Sequence, residues 1–240
     1  MGMQTRYQHQ RRSRLHGLST NSSGFSMIEI VAVLSIALII SGFAVISTQG
    51  AMKNARVNGA YDNAFTQLRM ARERAIEERK RYIVTFGAPA PIGALTPLGA
   101  PNAKSIQLYR WDAPNAPPCP CPVPAPVQIS TIDLPFDVAF QAIPGVPTSP
   151  ATVPDGFGTG ITAIDFDQSV TAFAGSANTV MFVPDGSAQD TLNNSNNGIL
   201  YIARNGDLSS SRAITVFGTS GRVRGWRLTQ AGGVAQWKQQ

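Results

Sequence analysis

From Phe25 to Ile46 the chain runs through 22 residues, of which Glu29 alone is charged and none is proline. Leu, Ile, Val and Ala dominate. About 20 apolar residues in a helix, rising ~1.5 Å each, cross a bilayer core, so this run predicts a membrane-spanning helix over 25–46. The lone carboxylate needs a reason. At mid-membrane a charge costs ~2.5–3.5 kcal/mol, and less near an end, so Glu29 calls for a cationic partner or the headgroup region. Beyond Ala51 polarity rises but the helical period persists. Val57, Tyr61, Ala64, Leu68, Ala71 and Ala75 recur at spacings of four and three, which is one apolar stripe. Lys53, Arg56, Arg69, Arg72, Glu73, Arg74, Glu77, Glu78, Arg79 and Lys80 fill the other faces, and spacings such as Glu77 to Arg81 suit helical ion pairs. The helix is expected to run to about Arg81, its second half seating a globular head.

At Arg81-Tyr82-Ile83-Val84-Thr85-Phe86 the pattern turns to β-type residues, stopped by Gly87. Further strands are expected near Ser105–Trp111, Val127–Leu134, Val138–Ile143, Ile161–Phe166, Thr179–Val183, Ile199–Arg204, Ala213–Phe217 and Val223–Leu228. Each is short and bounded by Gly, Pro, Asn or Asp. Such spacing predicts antiparallel sheets rather than βαβ units, and an α+β fold. Two loops interrupt the series. Residues 113–126 carry seven prolines and read as extended and polyproline-like. The second, Asn193 to Gly198, is polar and turn-rich.

Composition narrows the chemistry. Both histidines, His9 and His16, lie in the first 24 residues, so beyond them the usual general base and commonest metal ligand are missing. Cys119 and Cys121 are the only cysteines, too few for a cysteine zinc site. Inside the Pro-rich loop they are a candidate disulfide, though a ring with one intervening residue is small and strained; two exposed thiols are the alternative. No carboxylate pair stands out, and Asp165, Asp167, Asp185 and Asp190 match no calcium loop. Pro184-Asp185-Gly186 reads as a turn. The expectation is a structural or binding protein, not an enzyme, with no cofactor and no metal. Residues 1–24 hold Arg6, Arg11, Arg12 and Arg14 with no acid, four of the formal +6. Positive charge before a span keeps that end cytoplasmic, with the bulk of the chain on the far side.

Gly24-Phe25-Ser26-Met27-Ile28-Glu29, with a basic stretch before it and an apolar run after it, resembles the type IV prepilin signature. The resemblance implies a leader over 1–24, cut between Gly24 and Phe25 by a membrane-embedded prepilin peptidase. It also implies N-methylation of Phe25. Glu29 would then meet the N-terminal amine of a neighbouring subunit during filament assembly. The physics agrees, because a carboxylate in lipid is tolerable beside an ammonium, and that amine exists only after cleavage. Two plainer readings stand beside it. Ser26-x-x-Glu29 is also a capping box. A secretory signal peptide also pairs basic and apolar segments, but this run is long and no small-residue cleavage site follows it. Ile46 stands where many pilins have proline.

Three head segments extend the likeness. Ala71-Arg72-Glu73-Arg74-Ala75-Ile76, Val180-Met181-Phe182-Val183-Pro184-Asp185-Gly186 and Ser220-Gly221-Arg222-Val223-Arg224 are similar to the GspH/FimT group of minor pseudopilins. That group implies a long N-terminal helix packed on two sheets. It also implies a subunit of a type II secretion pseudopilus or type IV pilus, anchored in the inner membrane with its head in the periplasm and other pilins as partners. Residues 87–160 match nothing in it. In FimT-like members a G-R-x-R motif binds DNA, and Gly221-Arg222-Val223-Arg224 fits that pattern. From Tyr201 to Gln240 six basic residues face Asp207 alone, a net +5, whereas 105–200 carries a net −7. Arg222, Arg224 and Arg227 are thus the candidate DNA-binding residues, with Trp226 or Trp237 available to stack on bases. Alternation puts Arg222, Arg224 and Trp226 on one face. The alternatives are an arginine-guarded edge strand and an acid–base match with the Asp-rich half of the head.

Overall fold

The computed structural model of the chain describes residues 24–87, 104–112, 126–158, 162–166, 178–190 and 193–240. Cys119, Cys121 and almost all of the Pro-rich loop lie outside them. The chain divides after Thr48 into two units.

The first unit is helical from Met27, where α1 (Met27–Glu78) begins. Gly24, Phe25 and Ser26 precede it without regular structure. The backbone stays helical through Ile46. Apolar side chains from Phe25 to Phe43 point outward on every side of the helix, 49–85 % exposed. This stretch is long and apolar enough to cross a membrane. Two of its hydroxyls bond to the helix itself: Ser35 Oγ donates to the Ala32 carbonyl (2.8 Å) and Ser41 Oγ to the Ala37 carbonyl (2.7 Å). Helical serine in a lipid-like setting needs this, since no water is there to take the proton.

The second unit, Gln49–Gln240, is built on the rest of α1 and two antiparallel sheets. The strands are β1 Arg81–Phe86, β2 Ser105–Trp111, β3 Val127–Asp133, β4 Val138–Phe140, β5 Ile164–Asp165, β6 Thr179–Phe182, β7 Ala188–Gln189, β8 Gly198–Arg204, β9 Arg212–Phe217, β10 Arg222–Ala231 and β11 Val234–Gln239. The first sheet runs β3-β2-β1-β6-β7 and the second β11-β10-β9-β8-β4, with β5 also paired to β8. The α+β architecture with a long N-terminal helix and two sheets is as expected.

Every position of the expected stripe is buried: Val57, Tyr61, Ala64, Leu68, Ala71 and Ala75, joined by Ala60. They meet Tyr82, Val84 and Phe86 of β1, Ile106 and Leu108 of β2, Val180 and Phe182 of β6, and Leu200, Ile202, Ile214, Val216 and Val223 of the second sheet in one core. Phe86 stacks on Phe166 and meets Phe140 edge-on, tying the two sheets together at one end. The outer faces are covered as well. Ile83, Tyr109, Met181 and Val183 cluster behind the first sheet. Ile199, Tyr201 and Ala213 cluster behind the second, under Phe157, Trp226 and Trp237.

The structure departs from the sequence reading at several ends. The helix stops at Glu78, where Arg79 takes a left-handed turn (φ 53°). Arg81 therefore belongs to β1 and does not pair with Glu77. Its guanidinium lies 5.5 Å from the Trp111 ring and bonds Asn193 Oδ1. Among the described residues no ion pair lies within α1; Lys80 reaches Asp112 instead (3.1 Å). The expected strand 138–143 ends at Phe140 because Pro144 and Gly145 (φ 101°) turn the chain. Of the expected strand 161–166, Ile161 lies outside the described residues, and among the rest only Ile164–Asp165 is a regular strand. β7 and β11 were not anticipated. β11 follows Gly232-Gly233, both at positive φ (61° and 82°), the dihedral signs of a two-residue hairpin turn.

Gly225 shows how closely helix and sheet approach. A Cβ there would lie 1.6 Å from Tyr61 Oη. Gly225→Ala is expected to cost about 1–3 kcal/mol of stability through overpacking. Adding Tyr61→Phe, which removes the colliding oxygen, should return part of the loss. Thermal melts of the two variants and their combination check this; equal melting of Gly225→Ala and the parent chain would refute the close approach.

Candidate functional site

Two places hold the residues singled out by sequence. The first is the start of α1. Glu29 N–H and Ile30 N–H both donate to the Ser26 carbonyl, at 2.9 and 3.2 Å, which closes the first turn. Glu29 is exposed and is the acid of that first turn, where the helix dipole favours negative charge. Gly24 and Phe25 sit just outside the helix.

The second is a joint in the head. Arg72 Nε donates to the Gly186 carbonyl (3.1 Å). A Cβ on Gly221 (φ 59°) would sit 1.9 Å from that same carbonyl oxygen. Ala188 N–H donates to the Gly218 carbonyl (2.7 Å), which links the edge of the first sheet to the β9–β10 turn of the second. The three head segments noted in the sequence thus converge: Arg72 from the helix, Pro184-Asp185-Gly186 from one turn and Ser220-Gly221-Arg222 from another. Asp185 spends its carboxylate on its own turn, accepting from Ser187 N–H (2.7 Å), and bonding to Ser187 holds it below the usual carboxylate range.

Beside this joint lies a cleft of about 650 Å³, floored by Phe65 and walled by Arg69, Arg72, Glu73 and the segment from Ser220 to Gly225. The Arg69 guanidinium lies 4.3 Å from the Phe65 ring centroid. Arg222 is exposed at the turn. Sequence reasoning missed Arg69 and Arg72 as members of this surface. The signal was present in the spacing Phe65, Arg69, Arg72, which places them along one face of α1.

The candidate arginines of β10 separate. Arg224 is committed: its Nη1 lies 2.6 Å from Asp155 Oδ1, and its guanidinium covers the Phe217 ring at 4.8 Å. Asp155 has a side chain only 7 % exposed, accepts a second bond from Thr215 Oγ1 (2.5 Å), and holds a left-handed backbone (φ 52°). Trp226 Nε1 donates to Thr215 Oγ1 (3.1 Å), extending the same network. Trp226 and Trp237 are partly buried and pack against the cluster behind the second sheet. Arg227 lies on the opposite face, in register with Arg212 on β9. Arg212 is 2 % exposed, donates to the carbonyls of Ser210 and Ser211, and reaches Asn58 Oδ1 on α1 (3.0 Å). Burial lowers its pKa, and the nearby charge of Arg227 lowers it further. The three β10 candidates therefore do not form one phosphate-binding row.

No family model, no curated protein and no solved structure matches the chain.

Asp155→Ala should leave the Arg224 charge half-buried without its anion, at about 1–3 kcal/mol. Arg222→Ala, at an exposed turn, should change stability by no more than about 0.5 kcal/mol. Denaturant unfolding of the full chain followed by tryptophan fluorescence separates the two; similar losses would mean the Arg224–Asp155 pair does not support the fold.

Proposed function

We propose that the chain is a minor pilin-like subunit, a structural component that enters a filament through its N-terminal helix. The observation that carries this reading is the apolar surface exposed around α1 with Glu29 its only charge. Such a surface needs lipid or other apolar helices around it, and its carboxylate needs a cation. Cleavage between Gly24 and Phe25 by a prepilin peptidase supplies that cation as a new amine on Phe25, afterwards methylated. On this reading the chain crosses the inner membrane once, leader end in the cytoplasm and head in the periplasm. Its machine is a type II secretion pseudopilus or a type IV pilus, and its affinity is with the GspH/FimT group. The convergence of Arg72, Gly186 and Gly221 supports the grouping, because it gives one structural reason for three short motifs that are weak singly.

A second reading, a DNA-binding subunit, is favoured by one observation. The cleft gathers Arg69, Arg72 and Arg222 against Glu73 on a concave surface. It needs Arg69 and Arg222 as phosphate contacts in place of Arg224 and Arg227.

Mass spectrometry of the protein from its native host tests the first reading. A mature chain starting at methylated Phe25 is expected, Gly24→Ala should slow or block its appearance, and an intact leader would overturn the assignment. Glu29→Ala should leave the chain folded and membrane-bound but poorly incorporated into filaments; normal incorporation would remove the role of that carboxylate. For the second reading, a DNA-shift assay on the full chain in detergent decides. Arg69→Ala and Arg222→Ala should each weaken binding and reduce the log–log salt slope by about 1. No shift with the unmutated chain sinks it.

A further inference from the structure

A second basic cleft, of about 760 Å³, lies elsewhere on the head and has no part in the joint described above. Lys53 and Arg56 of α1, Lys104 just before β2, Phe136 in the β3–β4 turn and Arg204 at the end of β8 line it. On α1 its residues precede those of the first cleft by 16 positions, Arg56 against Arg72, or about 24 Å of helix.

The charges of this cleft are unequal in their commitments. Arg56 Nη1 pairs with Asp137 Oδ2 (3.1 Å), and Arg204 Nη2 with Asp207 Oδ2 (2.6 Å). Lys104 Nζ donates to the Phe136 carbonyl (2.8 Å), a neutral acceptor that leaves its charge uncompensated. Lys53 is exposed and has no anionic partner among the described residues. Two cations are therefore left over in one concavity. Phe136 stands at its rim, 78 % exposed, at the tip of a turn closed by Val138 N–H donating to the Pro135 carbonyl. The Arg56 guanidinium lies over the Phe136 ring, 4.7 Å from its centroid. Met52, one residue before Lys53, is also exposed. Cations set among exposed apolar side chains are the surface that an anionic membrane attracts, the charges taking phosphate and the apolar tips entering the acyl boundary.

The position of Lys53 in the chain favours that partner over a soluble one. It follows the end of the apolar run at Ile46 by seven residues, and seven residues span at most about 25 Å whatever their conformation. If the run crosses a bilayer, the cleft is tethered beside the headgroups of that bilayer, which raises their effective concentration at the site.

We infer that this cleft seats the phosphate headgroup of an anionic phospholipid, with Lys53 and Lys104 as its cationic contacts and Phe136 dipping into the interface. The inference rests on the reading of 25–46 as a membrane span. In the bilayer it would hold the head down before assembly, and extraction of the subunit into a filament would have to break it.

The test uses the full chain in nanodiscs of phosphatidylcholine, with and without phosphatidylglycerol, read by hydrogen exchange. Amide exchange across 134–141 should slow in the anionic discs, and added salt should abolish the slowing. A Lys53→Ala/Lys104→Ala double variant should lose it, with a preference for the anionic surface lowered by about fivefold per lysine. A chain that inserts but exchanges equally in both discs overturns the inference alone. So does equal slowing when inorganic phosphate is added to neutral discs, which would mark a site for free phosphate. A chain that stays outside the discs overturns the spanning reading and the inference together.

Discussion

The second half of α1 meets the two sheets along a strip of small residues. Ala60, Ala64, Ala71 and Ala75 are fully buried, and Gly225 lets the backbone of β10 come up to Tyr61. Alanine brings little apolar area by itself. Its value is that it lets the helix axis lie close to both sheets, so that Leu68, Phe86 and Phe182 fill a space with no layer between them. With larger residues in the strip, the helix would ride outward and the two sheets would lose their common partner. The contacts that cross between sheets, Phe86 on Phe166 and Ala188 with Gly218, depend on this spacing being kept. The half-buried joint around Arg72 depends on it too, since the guanidinium can reach the Gly186 carbonyl only from a helix that is near.

The same helix carries two solutions to burying apolar surface. In the head, the stripe is narrow and the partner is protein. Between Phe25 and Phe43 the apolar surface is continuous and no protein covers it. A sequence can show this difference, because a stripe and a full circumference have different periodicities. For the same reason the long helix and its buried positions were legible before any coordinates. The strands with β-branched and aromatic runs, β1, β2, β6, β8 and β9, were legible on similar grounds. β11 was not, because Val234-Ala235-Gln236-Trp237 is a weak strand pattern. Its position is fixed by the Gly232-Gly233 turn and by Trp237 packing near Tyr201, which only the folded sheet provides. The end of β4 was overestimated because apolar content continues up to Pro144, where the chain turns away from the ladder.

The site divides in the same way. Glu29 and Arg222 draw notice in the sequence because the features that mark them, a lone acid in an apolar run and a G-R-x-R string, are local. Arg69 and Arg72 were visible as charges but not as cleft residues, since their neighbours come from more than 100 positions further along the chain. Asp137 behaves similarly in the second cleft: it takes the charge of Arg56 from 81 positions away, and nothing in its own segment signals this.

Arg224 shows why the charge of a motif is a poor guide to the charge of a surface. Summed along the chain, the last 40 residues are strongly basic. In the fold, Asp155 arrives from the acidic half, in a loop that drapes behind the second sheet, and takes the guanidinium of Arg224 with Thr215 as its second donor. The left-handed backbone of Asp155 is a conformation that non-glycine residues adopt at some cost, and here the two side-chain bonds offset it. A phosphate seeking Arg224 would have to displace a carboxylate that is already desolvated and doubly bonded. Arg222, two residues earlier, has no such competitor among the described ion pairs. Two arginines on the same face of β10 therefore differ, one holding the fold and the other exposed without an ion pair among the described residues. A G-R-x-R string carries an anion-binding implication only at those of its arginines that the rest of the chain leaves unmatched.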